Sequence, residues 1–158
     1  MSEEMKVPVG IAVDAVNEGT IRTLKKIKTS MVNIRIFAKL EKQINEEVKL
    51  YQEAVNQYII LNGVGEGDKS KIDTSNPVAR NAYIAHVMEL RNSDSDILQM
   101  SKPIFSEKDF ESKGIELSME EVVVFNGFGI TKIDLGLDDE ENTEEISEKE
   151  EEKELLKE

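Results

Sequence analysis

The hydrophobic positions of this chain follow one long helical period between about Met31 and Leu61, which predicts a long amphipathic helix. Ser30 is its candidate N-cap, and the Asn62-Gly63 pair is a stop signal. Apolar residues recur in it at heptad spacing, and only Glu41 interrupts them. These apolar positions form what we call the seam: Ile34, Phe37, Ile44, Val48, Tyr51, Val55 and Tyr58. At about 1.5 Å per residue the helix extends roughly 45 Å, so we expect it to pair lengthwise with another helix.

A second helix is predicted to begin at Asn76-Pro77, where Asn is a good cap and Pro fits the first helical position, and to end near Asn92. Its expected packing face carries Ala79, Ala82, Tyr83, Val87 and Leu90. The two helices are expected to form an antiparallel hairpin joined by the glycine-rich stretch 62–75. Because the second helix is much shorter, part of the seam should stay exposed and mediate self-association.

Shorter elements are predicted on both sides of the hairpin. A short helix, weakened by Gly19, is expected from about Asp14 to Lys28. Residues 97–100 and 104–105, on either side of Pro103, have an extended pattern that predicts small β elements, and a turn is predicted at Ser106 to Asp109. Ser118-Met119-Glu120-Glu121 is a capping box that opens a short helix, and imperfect alternation after it, in residues 128–135, favours a last edge strand. The predicted fold is therefore mainly α, with a small C-terminal α+β region, in a single domain over residues 1–137.

The negative charge of the chain is concentrated at its C-terminal end. The net charge is -13, and residues 138–158 alone contain 12 acids and three Lys. One interpretation of this acidic segment is a solvated, disordered tail. The other is an electrostatic arm that covers a basic surface on its own chain, on a sister subunit or on a partner.

Positive charge is concentrated between residues 20 and 50. The candidate basic patch there consists of Arg22, Lys25, Lys26, Lys28, Arg35 and Lys39. No aromatic stacking set or groove-reading motif accompanies it, so direct nucleic-acid binding is not expected. Mimicry of DNA requires acids on a rigid surface, whereas the acids of this chain are concentrated in the C-terminal segment.

The residue inventory gives little support for catalysis or for a bound cofactor. The chain has no Cys, which excludes disulfides and thiolate chemistry. His86 is its one histidine, and neither Glu89 nor Asp94 supplies the second strong ligand that a zinc site needs. The loop containing Lys69-Ser70 resembles a phosphate-binding loop only superficially, because Asp68 separates the last glycine from the lysine and a helix precedes the loop. We therefore expect no enzyme activity, no cofactor and no metal.

The layout of the chain resembles that of a loose group of small, uncharacterised bacteriophage proteins. The shared succession runs from Ile21-x-x-Leu24-x-x-Ile27 through the long helix ending Tyr58-Ile59-Ile60, the glycine-rich gap and the second helix. It continues through residues 97–105 to Leu117-Ser118-x-x-Glu121-Val122. This resemblance implies an accessory viral protein that acts in virion assembly or in handling the host.

These features together predict a non-catalytic protein–protein interaction protein. We expect a structural or assembly role through the seam, with the chain itself and a viral or host protein as partners. The alternative is an acidic regulatory protein, an inhibitor or a DNA mimic, that binds a host nucleic-acid-handling or defence protein. No stretch reaches the roughly 20 apolar residues of a membrane span, and we expect a cytoplasmic location, or the virion if the protein is viral.

Overall fold

A computed structural model describes residues 4–136 of the chain. The fold is mainly α-helical and contains a long central helix, as predicted. Its elements, in chain order, are β1 (Lys6–Pro8), α1 (Val9–Asn17), α2 (Thr20–Lys26), α3 (Met31–Asn62), α4 (Pro77–Asn92), β2 (Asp94–Leu98), α5 (Glu107–Ser112) and α6 (Met119–Phe128). The predicted acidic tail, residues 138–158, lies outside the described residues.

The hairpin of α3 and α4 has the capping predicted for it. The Ser30 hydroxyl accepts a hydrogen bond from the Asn33 backbone N–H at 3.3 Å at the start of α3. At the start of α4, the Asn76 side-chain oxygen accepts from the Val78 N–H at 3.0 Å. Between the helices, Val64 and Lys71 form an isolated antiparallel bridge. Side-chain caps of this kind satisfy backbone donors that the first helical turn leaves without partners, so the two helix starts are set locally.

The N-terminal region forms two helices, so the prediction of one helix from Asp14 to Lys28 is wrong. The chain begins α1 already at Val9, and Gly19 separates it from α2 with a φ of 68°. A residue with a side chain is strained in this left-handed conformation, whereas glycine adopts it readily. The glycine therefore divides the segment into two helices and does not merely weaken one.

A two-stranded antiparallel sheet joins the start of the described chain to the segment that follows α4. Lys6 pairs with Leu98 and Pro8 with Asp94, with an irregularity between the two pairs. The buried Ser95 hydroxyl donates to the Val7 carbonyl at 2.6 Å. The stretch Asp94-Ser95-Asp96, which follows α4, therefore belongs to a strand. The prediction of small β elements in this region is confirmed only for β2.

The C-terminal part of the described chain differs from the sequence prediction in two elements. The predicted turn at Ser106 to Asp109 is instead the start of α5, and residues 131–136 form no strand. The side chain of Asn126, near the end of α6, takes the place of a strand partner. Its amide nitrogen donates to the Ile133 carbonyl at 2.9 Å, and its oxygen accepts from the Ile133 N–H at 3.0 Å. The capping box of α6 is confirmed, because the Ser118 hydroxyl accepts from the Glu121 N–H at 3.1 Å.

The folded residues group into two compact units. The first unit comprises the chain up to Ala54 together with Leu90–Ile133, and it contains a core to which β1, α1, α2, α3, β2 and α6 all contribute. A row of aromatic rings runs through this core with centroid separations of 5.6 to 5.7 Å: Phe37, Phe105, Phe110 and Phe125. The second unit includes Val55–Glu89, in which Ile84 and Val87 are buried. The assignment of residues 1–137 to a single domain stays a prediction.

Candidate protein-interaction surface

The seam of α3 is divided between a buried part and an exposed part. Ile44 and Val48 are only 1% and 8% exposed and belong to the core of the first unit. Phe37 and Tyr51 are half-buried against the same core, whereas Ile34 is 45% exposed. The prediction of an exposed seam is therefore wrong at Ile44 and Val48. Heptad spacing identified the apolar face of the helix, but elements distant in sequence cover that face.

The two remaining seam residues belong to the second unit. Val55 and Tyr58 are half-buried, and the ring of Tyr58 stacks on His86 with centroids 4.3 Å apart. The Tyr83 ring lies 6.1 Å from the same tyrosine. The expected packing face of α4 needs one correction, because Ala82 is exposed and Ile84, which was not predicted there, is buried. His86 thus has a packing role that accounts for its position without any catalytic partner.

An apolar groove of about 270 Å³ lies between α2 and the first half of α3. Its walls include, from the two helices, Ile21, Leu24, Ile27, Ile34, Phe37 and Leu40. Lys25 and Glu41 stand at the groove and form an ion pair of 2.9 Å. The groove therefore combines apolar walls with charged groups that remain in contact with water.

The first two turns of α3, the helix that forms one wall of the groove, expose several large apolar side chains. Met31 is 62% exposed and Val32 66%, and Ile34 and Ile36 are also exposed. Sequence reasoning missed Met31, Val32 and Ile36 because they lie off the heptad. A signal for them was available, since apolar residues at positions 31, 32, 34 and 36 lie on several sides of a helix with about 3.6 residues per turn and so do not fit a single heptad stripe. We call the groove together with these four residues the α2–α3 surface.

The basic patch lies on or next to the two helices that form this surface, and Lys25 is the one of its six residues that lines the groove. Arg22, Lys25 and Lys26 are on α2, Lys28 follows it, and Arg35 and Lys39 are on α3; all six are exposed. From Thr20 to Leu40 the sequence contains these six basic residues and no acidic one. One further cation approaches from α5, because the Lys113 ammonium donates to the Lys28 carbonyl at 2.8 Å. The structure thus brings the predicted patch and the exposed part of the seam together.

A second depression, of about 410 Å³, follows the outer face of α3 and is less suited to a partner. Lys42, Glu46 and Lys49 are among its lining residues, all of which come from this one helix. Because acidic and basic residues alternate at helical spacing, this is the solvated face expected of an amphipathic helix.

The other sequence candidates for chemistry form no site in the described residues. Residues 4–136 contain no group of three His, Cys, Asp or Glu side chains placed to hold a metal ion. The glycine-rich loop includes a 3-10 turn at Gly67–Lys69 and is closed by the bridge between Val64 and Lys71. In the part of the chain that the structure describes, no helix combines the length and the apolar character that crossing a bilayer requires.

Comparisons with protein-family models, curated proteins and solved structures give no match to this chain. The resemblance to bacteriophage proteins therefore stays a prediction, and the function has to be argued from the α2–α3 surface.

Proposed function

We propose that this chain is a non-catalytic protein–protein interaction protein that self-associates through the α2–α3 surface. The observation that carries the proposal is the apolar groove with Ile34, 45% exposed, in its wall, together with the exposure of Met31, Val32 and Ile36 in the same two turns of α3. Soluble monomers rarely expose contiguous apolar patches of more than a few hundred Å², and larger patches usually mark a contact. The proposal keeps the predicted structural role of α3 but moves the contact from the middle of the seam to its N-terminal end.

The magnitude of apolar burial is sufficient for association. Removing one large aliphatic side chain from water stabilises a contact by about 1.5 to 3 kcal/mol. In a symmetric dimer each residue of the surface is used twice, so that four such side chains per copy make a substantial contribution. The exposed basic side chains around the surface fit the polar rim that surrounds the apolar centre of protein interfaces.

A matched pair of valine substitutions tests the proposal. Val32→Glu places a charge on the α2–α3 surface, and Val78→Glu places the same charge on α4, where Val78 is 79% exposed. Both residues are exposed on helices, so neither change should unfold the chain. We expect Val32→Glu to raise the dissociation constant by at least about a hundredfold, which corresponds to roughly 2.8 kcal/mol.

The measurement is molar mass by light scattering over a series of protein concentrations. Val78→Glu should behave as the unmodified chain does. A monomer at every concentration for the unmodified chain, or an equal effect of the two substitutions, would contradict the proposal.

A further inference from the structure

The apolar walls of the α2–α3 surface and the positive charge near it indicate what kind of chain segment it binds. Its walls are aliphatic and aromatic. Lys25 and Glu41 form an ion pair at the groove, and the five other cations of the basic patch lie on or next to α2 and on the start of α3. A complementary segment must therefore be acidic and must also carry aliphatic side chains. An apolar cavity of about 150 Å³ holds one benzene molecule, so a groove of about 270 Å³ has room for more than one aliphatic side chain.

The chain itself contains a segment with this chemistry. Residues 138–158 combine 12 acids and three Lys with the aliphatic residues Ile146, Leu155 and Leu156. Their net charge of -9 is opposite in sign to that of the basic patch. Resting on the proposed function, we infer that the occupant of the α2–α3 surface is the acidic segment 138–158 of a second copy of the chain.

Two reciprocal contacts, in which each copy binds the acidic segment of the other, explain how a charged segment can form a stable dimer. A single exposed ion pair contributes only about 0 to 1 kcal/mol, so the charges mainly guide the segment and select it. Leu155 and Leu156 supply the apolar contact with the groove. Each copy offers one groove and one segment, so that a reciprocal exchange closes a symmetric dimer with two identical contacts. Once the first contact forms, the second becomes intramolecular and the two strengthen each other.

Salt is expected to weaken the dimer without abolishing it. The Debye length falls from about 10 Å at 0.1 M salt to about 3 Å at 1 M, which screens the attraction between the acidic segment and the basic patch. The apolar contact is not screened. We therefore expect the dissociation constant to rise by about tenfold over this range of salt and the dimer to persist at high protein concentration.

The experiment uses full-length variants and sedimentation equilibrium. Arg22→Glu with Lys26→Glu reverses two charges on α2, the helix that forms one wall of the groove, and Lys42→Glu with Lys49→Glu reverses two on the outer face of α3 as the matched control. Leu155→Ser with Leu156→Ser removes the aliphatic end of the acidic segment. We expect the first and third double variants to be monomers at concentrations where the control and the unmodified chain are dimers. Circular dichroism and thermal unfolding check that each variant is folded.

A synthetic peptide of residues 138–158 provides the second measurement. Labelled peptide should bind the Leu155→Ser, Leu156→Ser chain, and adding Arg22→Glu with Lys26→Glu to that chain should weaken binding at least tenfold. Excess unlabelled peptide should dissociate the dimer of the unmodified chain. A labelled single-stranded oligonucleotide is the comparison probe, because a basic surface also attracts phosphates.

Each possible result either supports or overturns the inference. If the leucine variant still forms dimers while Val32→Glu does not, the proposed function stands and the acidic segment is the wrong occupant. A second result would be that the unmodified chain is a monomer and binds the peptide more weakly than the leucine variant does. In that case the segment binds its own chain, and the exchange between copies is wrong. Binding of the oligonucleotide without binding of the peptide would also overturn the inference.

Discussion

Truncating two isoleucines of the same helix separates the folding role of the seam from its interaction role. Ile34 and Ile44 both lie on the groove of the α2–α3 surface, but Ile34 is 45% exposed and Ile44 only 1%. Truncation of a buried isoleucine to alanine costs about 2 to 5 kcal/mol, because transfer free energy is lost and a cavity remains. For Ile34 nearly half of the side chain is in water in the folded state, so we expect a loss of about 1 kcal/mol.

Thermal unfolding measures the difference between the two substitutions. For a chain of 158 residues, 1 kcal/mol shifts the Tm by about 2 to 4 °C. With these values Ile44→Ala should lower the Tm by roughly 10 °C and Ile34→Ala by roughly 3 °C. Both are measured in the Val32→Glu background, since association would otherwise add a concentration-dependent stabilisation.

Association should show the opposite order. In the unmodified background, Ile34→Ala is expected to raise the dissociation constant by about fivefold or more, whereas Ile44→Ala should change it less, because its side chain contacts the core. Equal Tm losses for the two substitutions would refute the division of the seam into a buried and an exposed part. A larger effect of Ile44→Ala on association would refute the location of the contact.

Three further predictions test how the first unit is held together. Gly129→Ala should lower the free energy of unfolding, measured with urea, by about 2 to 5 kcal/mol, because φ is 78° and the added Cβ would lie 2.4 Å from a backbone oxygen. Gly114→Ala is the control: with φ 66° and open space around the added Cβ, it should cost only about 1 to 2 kcal/mol. Equal losses for the two substitutions would contradict the close contact at Gly129. The backbone N–H and the hydroxyl of Ser106 donate hydrogen bonds to the Asp109 carboxylate and lower its pKa. The contribution of Asp109 to stability is therefore present above its unfolded pKa of about 3.9 and is lost as the pH falls through the lower folded pKa. Asp109→Asn should therefore lower the Tm at pH 7, and the difference from the unmodified chain should shrink at pH values below about 4; a difference that persists there would argue against this origin. Glu121 caps α6 and accepts a 2.5 Å hydrogen bond from the Thr23 hydroxyl of α2. Glu121→Ala should therefore lower the free energy of unfolding by roughly 2 kcal/mol. A double-mutant cycle with Thr23→Val should give a coupling energy of about 1 kcal/mol, and a value of zero would contradict the contact.

The elements that could be predicted from the sequence are those that local signals determine. The start of α3 at Met31 and that of α4 at Pro77 coincide with their caps, and the capping box of α6 begins at Ser118. A side chain that satisfies a backbone donor three residues later acts within one helical turn, so that neighbouring residues alone carry the information. The hairpin follows from these boundaries and from the glycine-rich connection.

The strand pairing could not be obtained in the same way. The partners Lys6 and Leu98 are distant in sequence, and β1 is only three residues long. No periodicity can be recognised in so short a segment, and its pairing depends on the position of the whole core. The failure of the last predicted strand has a different cause, because the Asn126 side chain supplies hydrogen bonds that a neighbouring strand would otherwise provide.

For the candidate site, the apolar face of α3 could be predicted from the sequence, but the residues that pack on this face could not. Ile44 and Ile34 have the same residue type and occupy equivalent kinds of heptad position, yet their exposure differs because of what packs on each of them. Only the three-dimensional packing of the core, to which Ile44 belongs and Ile34 does not, distinguishes them. The basic patch was predicted residue by residue, because exposure of Lys and Arg is the ordinary outcome in a soluble fold.

The apolar residues at the start of α3 are not explained by folding, and this strengthens the argument for a contact. The core contribution of α3 comes from Leu40, Ile44 and Val48, which follow these exposed residues in the chain. Helix formation does not favour Val32, Ile34 and Ile36 either, because each β-branched residue lowers helix stability by a few tenths of a kcal/mol relative to Ala. At exposed positions where an apolar residue neither packs in the core nor stabilises the helix, a chain selected for solubility alone would be expected to carry Lys, Glu or Gln. Burial against a second molecule is the remaining term that can favour Val32 and Ile36 there. Substitution of both by Gln should accordingly raise the Tm of the monomer slightly while abolishing association; a lower monomer Tm would show that these two side chains serve the fold after all.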